Sequence, residues 1–339
     1  MASISPYKGG ATTTITGIDP DVIESHILTK IDGPSLACSA STCHLLHTLC
    51  RKDNLWKHIC NATWNSVKHP LVQDTISRFP GGYRSFFCDA FPLVRPSLKP
   101  GRTRRVLCQD YAWKIYSAVD IYYGSKGIHS KVIVTDTGDD AFLNFSFWLD
   151  LLDNQESVKI PLKFEGDENK CMLKLKENLT LSWILIDPIR KRAVNISSLT
   201  PISVRPHWNG NDVQVMYATI LSGFGSSEFV ECRIVATIKC KYKKDVKIRE
   251  ACLYLEDMHK MRLNGDRSLR ILLEVMENGE RKKGNAGEER EIYMKYRELK
   301  RKRIEGDYRR ETRLRIGCRV ACLAYLIAFV FFCNFLNIF

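Results

Sequence analysis

Features that mark several large protein classes are absent from this sequence of 339 residues. The first 17 residues are rich in Ser, Thr and Gly and contain no apolar segment of signal-peptide length. The thirteen cysteines have no paired spacing, and an odd number cannot all form bridges within one chain. We therefore expect a flexible N-terminal segment in the cytosol, and reduced thiols rather than a disulfide framework.

Sequence motifs of catalytic and phosphate-binding sites are also missing. The turn Gly124–Gly127 lacks the Gly-Lys-Ser/Thr ending of a phosphate-binding loop, and no nucleophile elbow occurs. His129, His207 and His259 have no candidate nucleophile with an orienting acid nearby in sequence. The sequence therefore predicts no catalytic residue and no cofactor; an enzyme whose site is assembled from distant loops is the alternative.

Two groups of potential metal ligands have spacings that do not match known sites. Cys43, His44, His47 and Cys50 lie along one predicted helix, whereas zinc ligands usually form two pairs separated by a loop. The aspartates between residues 136 and 140 do not reproduce a calcium-binding loop and are typical of a turn. We expect no metal site.

Residues 19–64 alternate short apolar helical patterns with turn residues. Pro20 predicts a helix start, Ser35 is the predicted N-cap of a second helix, and Asp53 begins a third. Apolar residues recur at three- and four-residue spacing in the first helix: Val22, Ile23, Ile27, Leu28 and Ile31. A module of this size buries little surface by itself, so an apolar face is expected to contact a partner or a neighbouring domain.

The order and spacing of these residues resemble an F-box. The matching residues are Pro20, Ile23, Ile27, Leu28, Ile31, Leu36, Cys43, Leu55, Trp56, Cys60 and Trp64. Asp19 stands where the family usually has Leu, and His44 stands where it usually has a stronger base. The resemblance implies binding to a Skp-type adaptor, and through it to a cullin, with the adaptor contacts made by Pro20, Ile23, Ile27, Leu28, Ile31, Leu36, Leu55 and Trp56.

Residues 111–277 have a strand-like pattern. The candidate strands are short and are separated by clusters of Gly, Asn and Asp. They include Ala112–Tyr122, Phe142–Leu149, Val158–Lys163, Cys171–Lys176 and Val213–Leu221. Many short strands without intervening helices favour an antiparallel β-sandwich or a partly closed barrel. This domain is the predicted binding region for an unknown protein substrate, and the sequence does not identify the residues that contact it.

The C-terminal region joins a basic helix to an apolar segment. Residues 288–315 begin with glutamates and end with bases, among them Lys300 and Arg315, which complements a helix dipole. They predict an exposed helical stalk with a basic stripe. The uncharged residues 320–339 match the length of one membrane span, and Arg313, Arg315 and Arg319 precede them. Because no nucleic-acid-reading module accompanies the basic helix, we favour a membrane over nucleic acid as its partner. The predicted anchor residues are Val320, Leu323, Leu326, Ile327, Phe329, Phe331 and Phe332.

The predicted fold class is α+β: a three-helix F-box, a central β-sandwich or barrel, and a basic helix that continues into one hydrophobic helix. The predicted segments are a flexible start (1–17), the F-box (18–66), a linker with a packing helix at Tyr83–Phe91 (67–110), the β domain (111–277), a helical stalk (278–315) and a tail anchor (316–339).

The favoured function is a non-catalytic, substrate-recognising subunit of an SCF-type ubiquitin ligase of the plant type. It would lie on the cytosolic face of a membrane, or in the nucleus or cytosol if the tail is not inserted. The alternative is a membrane-anchored β-sandwich binding module with no ligase role.

Overall fold

The structure of the chain is a computed structural model that describes residues 17–95, 114–208, 210, 212–223, 229–240, 245–284 and 286–336. For residue 286 and residues 331–336 it describes the backbone alone. Residues 1–16 of the predicted flexible start and residues 96–110 of the predicted linker lie outside the described residues. So do Ala112, where the first long strand was predicted to begin, and the side chains of Phe331 and Phe332.

The fold is a mixture of helices and two β-sheets, which confirms the α+β class. Helices occupy the N-terminal part, strands dominate the middle, and one long helix ends the described chain. Among the described strands, neither sheet closes on itself, so the predicted alternative of a partly closed barrel is wrong.

The N-terminal region forms a helical module, defined as residues 20–90. Its helices are α1 (Pro20–Val22), α2 (Gly33–Ser39), α3 (His44–Leu49), α4 (Asp53–Thr63), α5 (Pro70–Ser77) and α6 (Gly82–Ala90). α1 continues as a π-helical turn over Ile23–Ile27 and then as a 3-10 turn over Leu28–Lys30. Another 3-10 turn covers Asn65–Lys68.

The second predicted helix is two helices, because the chain turns between Ala40 and Cys43. Asp32 caps α2, accepting a hydrogen bond from the Ser35 amide at 2.9 Å, so the predicted cap at Ser35 is wrong. The predicted packing helix at Tyr83–Phe91 is confirmed as α6. Pro70 begins α5, where the sequence analysis expected no helix, because proline is well tolerated at the first helical position.

The first sheet contains the strands β1 (Leu93–Arg95), β2 (Lys114–Tyr123), β3 (Lys126–Asp136), β6 (Leu179–Asp187), β7 (Arg192–Asn195) and β12 (Glu280–Lys282). Their order is β12-β1-β7-β6-β2-β3, and the pairs are antiparallel except for the parallel contact of β1 with β7. β2 and β3 form a long hairpin through the turn at Gly124, as the turn residues predicted.

The second sheet contains β4 (Leu149–Asp150), β5 (Val158–Lys163), β8 (Ser203–Pro206), β9 (Asp212–Ser222), β10 (Phe229–Lys239) and β11 (Asp245–Glu256). The strand order is β4-β11-β10-β9-β8, and β5 also pairs with β11. All of these pairs are antiparallel. The bounds predicted for β5, Val158–Lys163, are those of the structure.

The two sheets share one apolar core. Alternate residues of β2 and β6, such as Val119 and Trp183, belong to the same buried cluster as Tyr217 of β9 and Ile234 of β10. The remaining inward positions of the strands follow the same two-residue period. The sheets therefore pack face to face, and each has a second, outward face that other elements must cover.

Three helices interrupt the β region. They are α7 (Asp140–Asn144), α8 (Glu168–Asn178) and α9 (Gly265–Asn278). The strands predicted at Phe142–Leu149 and Cys171–Lys176 are wrong. Alternation at residues 172–176 suggested a strand, but the buried side chains are Cys171 and Leu175, which are four residues apart on one helix face, while Leu173 is exposed. α9 was missed altogether, although its inner face is apolar.

The helix α10 (Ala286–Leu336) ends the described chain with 51 residues, about 77 Å at the usual rise per residue. Tyr293 and Tyr296 pack on the outward face of the second sheet with Met216, Ala218 and Ile220. Residues 288–315 are therefore helical, but the predicted stalk (278–315) also contains β12, and the first turns of the helix are docked rather than exposed. Within the described part of the chain, no helix combines the length and the apolar character needed to cross a membrane.

The helical module covers the outward face of the first sheet. Ala118 of β2, Ile184 and Ile186 of β6, and Ala193 of β7 join the apolar cluster of the module. These residues alternate with those that face the shared core, as the pleat of a strand requires. The module is thus a third layer on the sandwich rather than a separate lobe.

Candidate functional site

The candidate site is the first helical segment of the module, residues 20–30, together with the helices that support it. Five of the eight residues predicted to bind an adaptor are buried, with exposed fractions of at most 4%. They are Ile23, Leu28, Leu36, Leu55 and Trp56. In the chain alone these side chains build the interior of the module and shape the surface above them.

Trp56 is one of two tryptophans in this interior, together with Trp64. Its indole Nε1 donates a hydrogen bond to the Cys50 carbonyl at 2.7 Å, and its ring lies 5.3 Å from that of Phe87 on α6. Phe87 also stacks on Phe91 at 4.7 Å. The sequence analysis identified Trp56 but not its packing partner, since α6 follows the F-box pattern and contributes aromatic rings to its core.

Within the helical module, two close approaches require glycine. A Cβ on Gly33 would lie 2.2 Å from the ring of Phe87, so α2 can reach α6 only without a side chain there. Gly82 has a φ of +56°, and a Cβ on it would lie 2.4 Å from a carboxylate oxygen of Asp53. That carboxylate accepts a hydrogen bond from the Tyr83 amide at 2.8 Å, which joins the start of α4 to the start of α6.

The other three predicted contact residues remain accessible. Pro20 is exposed, Ile27 is 42% exposed, and Ile31 is half-buried. Val22, on the same segment, is 44% exposed although the sequence analysis did not include it among the contact residues. The segment therefore carries an apolar surface that no described element covers.

Asp19 and His44 depart from the family pattern, and each lies at the start of a helix. The Asp19 carboxylate accepts a hydrogen bond from the Asp21 amide at 2.8 Å and caps α1. His44 is exposed at the first position of α3, where Cys43 is the cap. Aspartate can thus replace the usual leucine at position 19 because it stabilises the helix start.

The potential metal ligands in and beside α3 each have their own contacts and do not share one. The Cys43 Sγ accepts a hydrogen bond from the Leu46 amide, and the His47 Nδ1 lies 3.1 Å from the Ala40 carbonyl oxygen. Cys50 is buried. In the described ranges, no three side chains of the types that bind metals converge on one point.

Buried carboxylates join the module to the first sheet. Asp120 on β2 accepts hydrogen bonds from the Ser66 amide at 2.9 Å and from the Ser130 hydroxyl at 2.6 Å. Asp89 on α6 accepts from the Ala193 amide and forms an ion pair with Arg281 at 3.0 Å. Burial raises the pKa of both carboxyl groups, while these hydrogen bonds act in the opposite direction. No signal in the sequence pairs Asp120 with Ser66 or Asp89 with Arg281.

Comparison with known proteins decides the family. F-box protein At2g27310 is 33% identical over 328 residues, which are 92% of each chain. F-box protein At3g44326 is 34% identical over 342 residues, 96% of this chain and 93% of the relative. Probable F-box protein At2g36090 is 35% identical over 300 residues, 87% of each chain. All three are from Arabidopsis thaliana. The chain is a plant-type F-box protein.

The similarity to these F-box proteins extends beyond the module. It covers 92% and 96% of this chain in the first two comparisons, which is far more than the helical module alone contains. No family model matches the chain, and no solved structure matches it. The family therefore follows from full-length relatives, in agreement with the motif residues.

Proposed function

We propose that this F-box protein is the substrate-recognising subunit of an SCF-type ubiquitin ligase. The observation that carries the proposal is the module itself: five of its eight predicted contact residues are buried in its core, while Pro20, Val22 and Ile27 form an apolar surface that no described residue covers. Similarity to F-box proteins over 92% of both chains supports it. The Skp-type adaptor would bind this surface and connect the chain to a cullin.

In this role the chain carries no covalent step. The module would bind the adaptor, and the β domain over residues 111–277 would hold a target protein near the ubiquitin-charged enzyme. The rate of transfer would then rise because the target lysine has a high effective concentration there. The rigid attachment of the module to the first sheet, through Asp120 and Asp89, supports such positioning.

The decisive experiment is adaptor binding by the full chain with Ile27→Asp. Because Ile27 is 42% exposed, the change should leave the fold intact and put a charge into the proposed apolar contact. We expect binding to the Skp-type adaptor to weaken about thirtyfold, the loss typical of a central contact residue. Isothermal titration calorimetry with the purified adaptor measures the change.

Ile189→Asp is the matched control. Ile189 lies between β6 and β7 and is 59% exposed, so the same substitution tests the added charge away from the module. Equal adaptor affinities of Ile27→Asp and the unchanged chain, or no adaptor binding by the unchanged chain, would reject the proposal. Variants such as Leu28→Asp or Trp56→Ala do not serve this purpose, since both side chains are buried and their loss disrupts the module itself.

A second candidate role is that of a β-sandwich binding module held on a membrane, with no ligase partner. The observation that supports this role lies in the C-terminal part of α10. Several apolar side chains there are more than half exposed: Val320, Leu323, Leu326, Ile327 and Phe329. We propose that this apolar end, preceded by Arg313, Arg315 and Arg319, associates with the cytosolic face of a membrane. Exposed apolar side chains on a helix otherwise require a partner.

Removal of the apolar end tests the membrane proposal. The full chain and a version ending at Arg315 would be compared by flotation with lipid vesicles that contain anionic lipid. We expect the full chain to float and the shortened chain to remain in the soluble fraction. Equal behaviour of the two chains would refute membrane association and favour a protein of the nucleus or cytosol, without affecting the adaptor proposal.

A further inference from the structure

The described residues cover only part of the outward face of the second sheet. Tyr293 and Tyr296 of α10 pack over one part of it, on Met216 and Ala218. Beyond that contact, a groove of about 740 Å³ lies between the 152–157 loop and the outward side chains of β9, β10 and β11. The helical module lies on the other sheet, so the groove and the proposed adaptor surface are on opposite sides of the sandwich.

An aromatic and guanidinium cluster forms one end of the groove. The rings of Trp148 and Tyr254 are stacked, with centroids 5.3 Å apart and an interplanar angle of 5°. The Arg262 guanidinium lies over both rings, at 4.6 and 4.9 Å from their centroids. Trp148 is 39% exposed, and its indole nitrogen is held by the Asp150 carboxylate at 2.7 Å. Tryptophan, tyrosine and arginine are the residues that dominate binding energy in protein interfaces.

The charges around the groove favour a basic ligand. Four carboxylates line it against two guanidinium groups: Asp150, Asp153, Glu156 and Glu250 against Arg249 and Arg262. Lys131 on β3 bonds to two of the four, Asp153 and Glu156, at 3.0 and 2.7 Å. A small excess of negative charge therefore remains in the groove, although the whole chain has a net charge of +13. Local charge of this sign selects a partner segment that carries a positive side chain.

The shape and lining of the groove fit a polypeptide better than a small molecule. Small-molecule sites are usually deep and mainly apolar. This groove is open along the sheet, and most of its lining side chains are polar, among them Gln155, Gln214 and Thr237. Rigid aromatic anchors beside adaptable polar side chains are typical of surfaces that bind protein segments.

We propose that this groove binds the target protein, through a segment that places an apolar side chain on the Trp148–Tyr254–Arg262 cluster and a lysine or arginine beside Glu250. The assignment rests on the proposed role of the chain as a target-binding subunit. It gives that role a specific face of the second sheet and a chemical class of ligand.

Selection from a displayed library of random 12-residue peptides on the immobilised full chain tests the proposal. We expect the selected peptides to be enriched in Lys or Arg next to an apolar residue, and to bind Trp148→Ala about tenfold more weakly than the unchanged chain. Glu250→Lys should remove the enrichment in basic residues, because it reverses the charge that selects them.

Trp208→Ala is the matched control. Trp208 is 90% exposed and does not line the groove, so the selected peptides should bind this variant as they bind the unchanged chain. The proposal is overturned if no peptide is selected, if the selected peptides are acidic, or if Trp148→Ala binds them without loss. Adaptor affinity, measured on the same variants, should be unchanged; a chain that selects basic peptides but does not bind the adaptor would refute the proposed ligase role alone.

Discussion

At the scale of single residues, buried polar side chains determine how the layers meet. Asp120 joins β2 to the Ser66 turn of the module, and the two residues are 54 positions apart in sequence. Helical and strand periods identify the apolar face of an element, but they did not show that Trp56 and Leu28, predicted as adaptor contacts, face the interior of the module. They contain no information about which buried carboxylate meets which distant amide, because such a partner depends on how separate elements pack.

The raised pKa of Asp120 leads to a prediction about pH. Burial favours the protonated form, so the native state binds this proton more tightly than the unfolded state does. Lowering the pH from neutral should therefore stabilise the native state through this group; the gain is complete below the ordinary value of 3.8 and is lost as the pH rises through the raised native pKa. In Asp120→Asn this contribution should be absent.

Urea unfolding of the unchanged chain and of Asp120→Asn, at a series of pH values from 7 to 4, isolates the effect from that of other carboxylates. The unchanged chain should gain stability relative to the variant as the pH falls. A difference between the two free energies of unfolding that stays constant with pH would contradict this account.

At the scale of elements, α10 combines a docked part with an exposed part. Lys300 is buried and donates to Glu256 at 2.7 Å and to Glu231 at 3.5 Å, and Arg233 also pairs with both glutamates. The sequence analysis placed Lys300 in an exposed basic stripe, because charge and helix propensity alone do not show that one lysine of the series meets two buried carboxylates.

Lys300→Ala should destabilise the protein by about 3 kcal/mol, since it leaves buried carboxylates with Arg233 as the remaining ionic partner. Lys302→Ala, on the exposed side of the same helix, removes a solvent-exposed pair with Glu298 and should destabilise the protein much less than Lys300→Ala does. Urea unfolding of both variants measures the contrast. Equal losses would show that the docked contact of α10 contributes no more than a surface ion pair.

The sequence predicted the type of an element correctly where its buried side chains lie on one face with a clear helical or strand period. β5 was predicted with its observed bounds, and α6 was predicted from its aromatic spacing. α8 was predicted as a strand because charged residues alternate with apolar ones along it, and its buried pair is only Cys171 and Leu175. α9 was missed because the whole of residues 111–277 was assigned to the β domain.

At the scale of the whole molecule, three layers and a docked helix form one body. The apolar cluster of the helical module includes side chains from β2, β6 and β7, and two buried carboxylates cross the same boundary. The sequence predicted a module and a β domain but could not predict their relative placement, since the predicted linker between them has no periodic pattern.

The shared core predicts that the module and the sheets unfold together. Tryptophan fluorescence, which reports on Trp56 and Trp64 in the module and on Trp183 in the sheets, should give the same urea midpoint as far-ultraviolet circular dichroism. Separate transitions for the two probes would indicate that the module is stable without the sheet, or the sheet without the module.

The arrangement of the two sheets has one more consequence. Stacked sheets lie about 10 Å apart, and the helical module adds a further layer to one of them. The proposed adaptor surface and the proposed peptide groove are therefore on opposite sides of the sandwich. If both proposals hold, binding of the adaptor should leave the affinity of the groove for its peptide unchanged, and targets could bind before or after the ligase assembles.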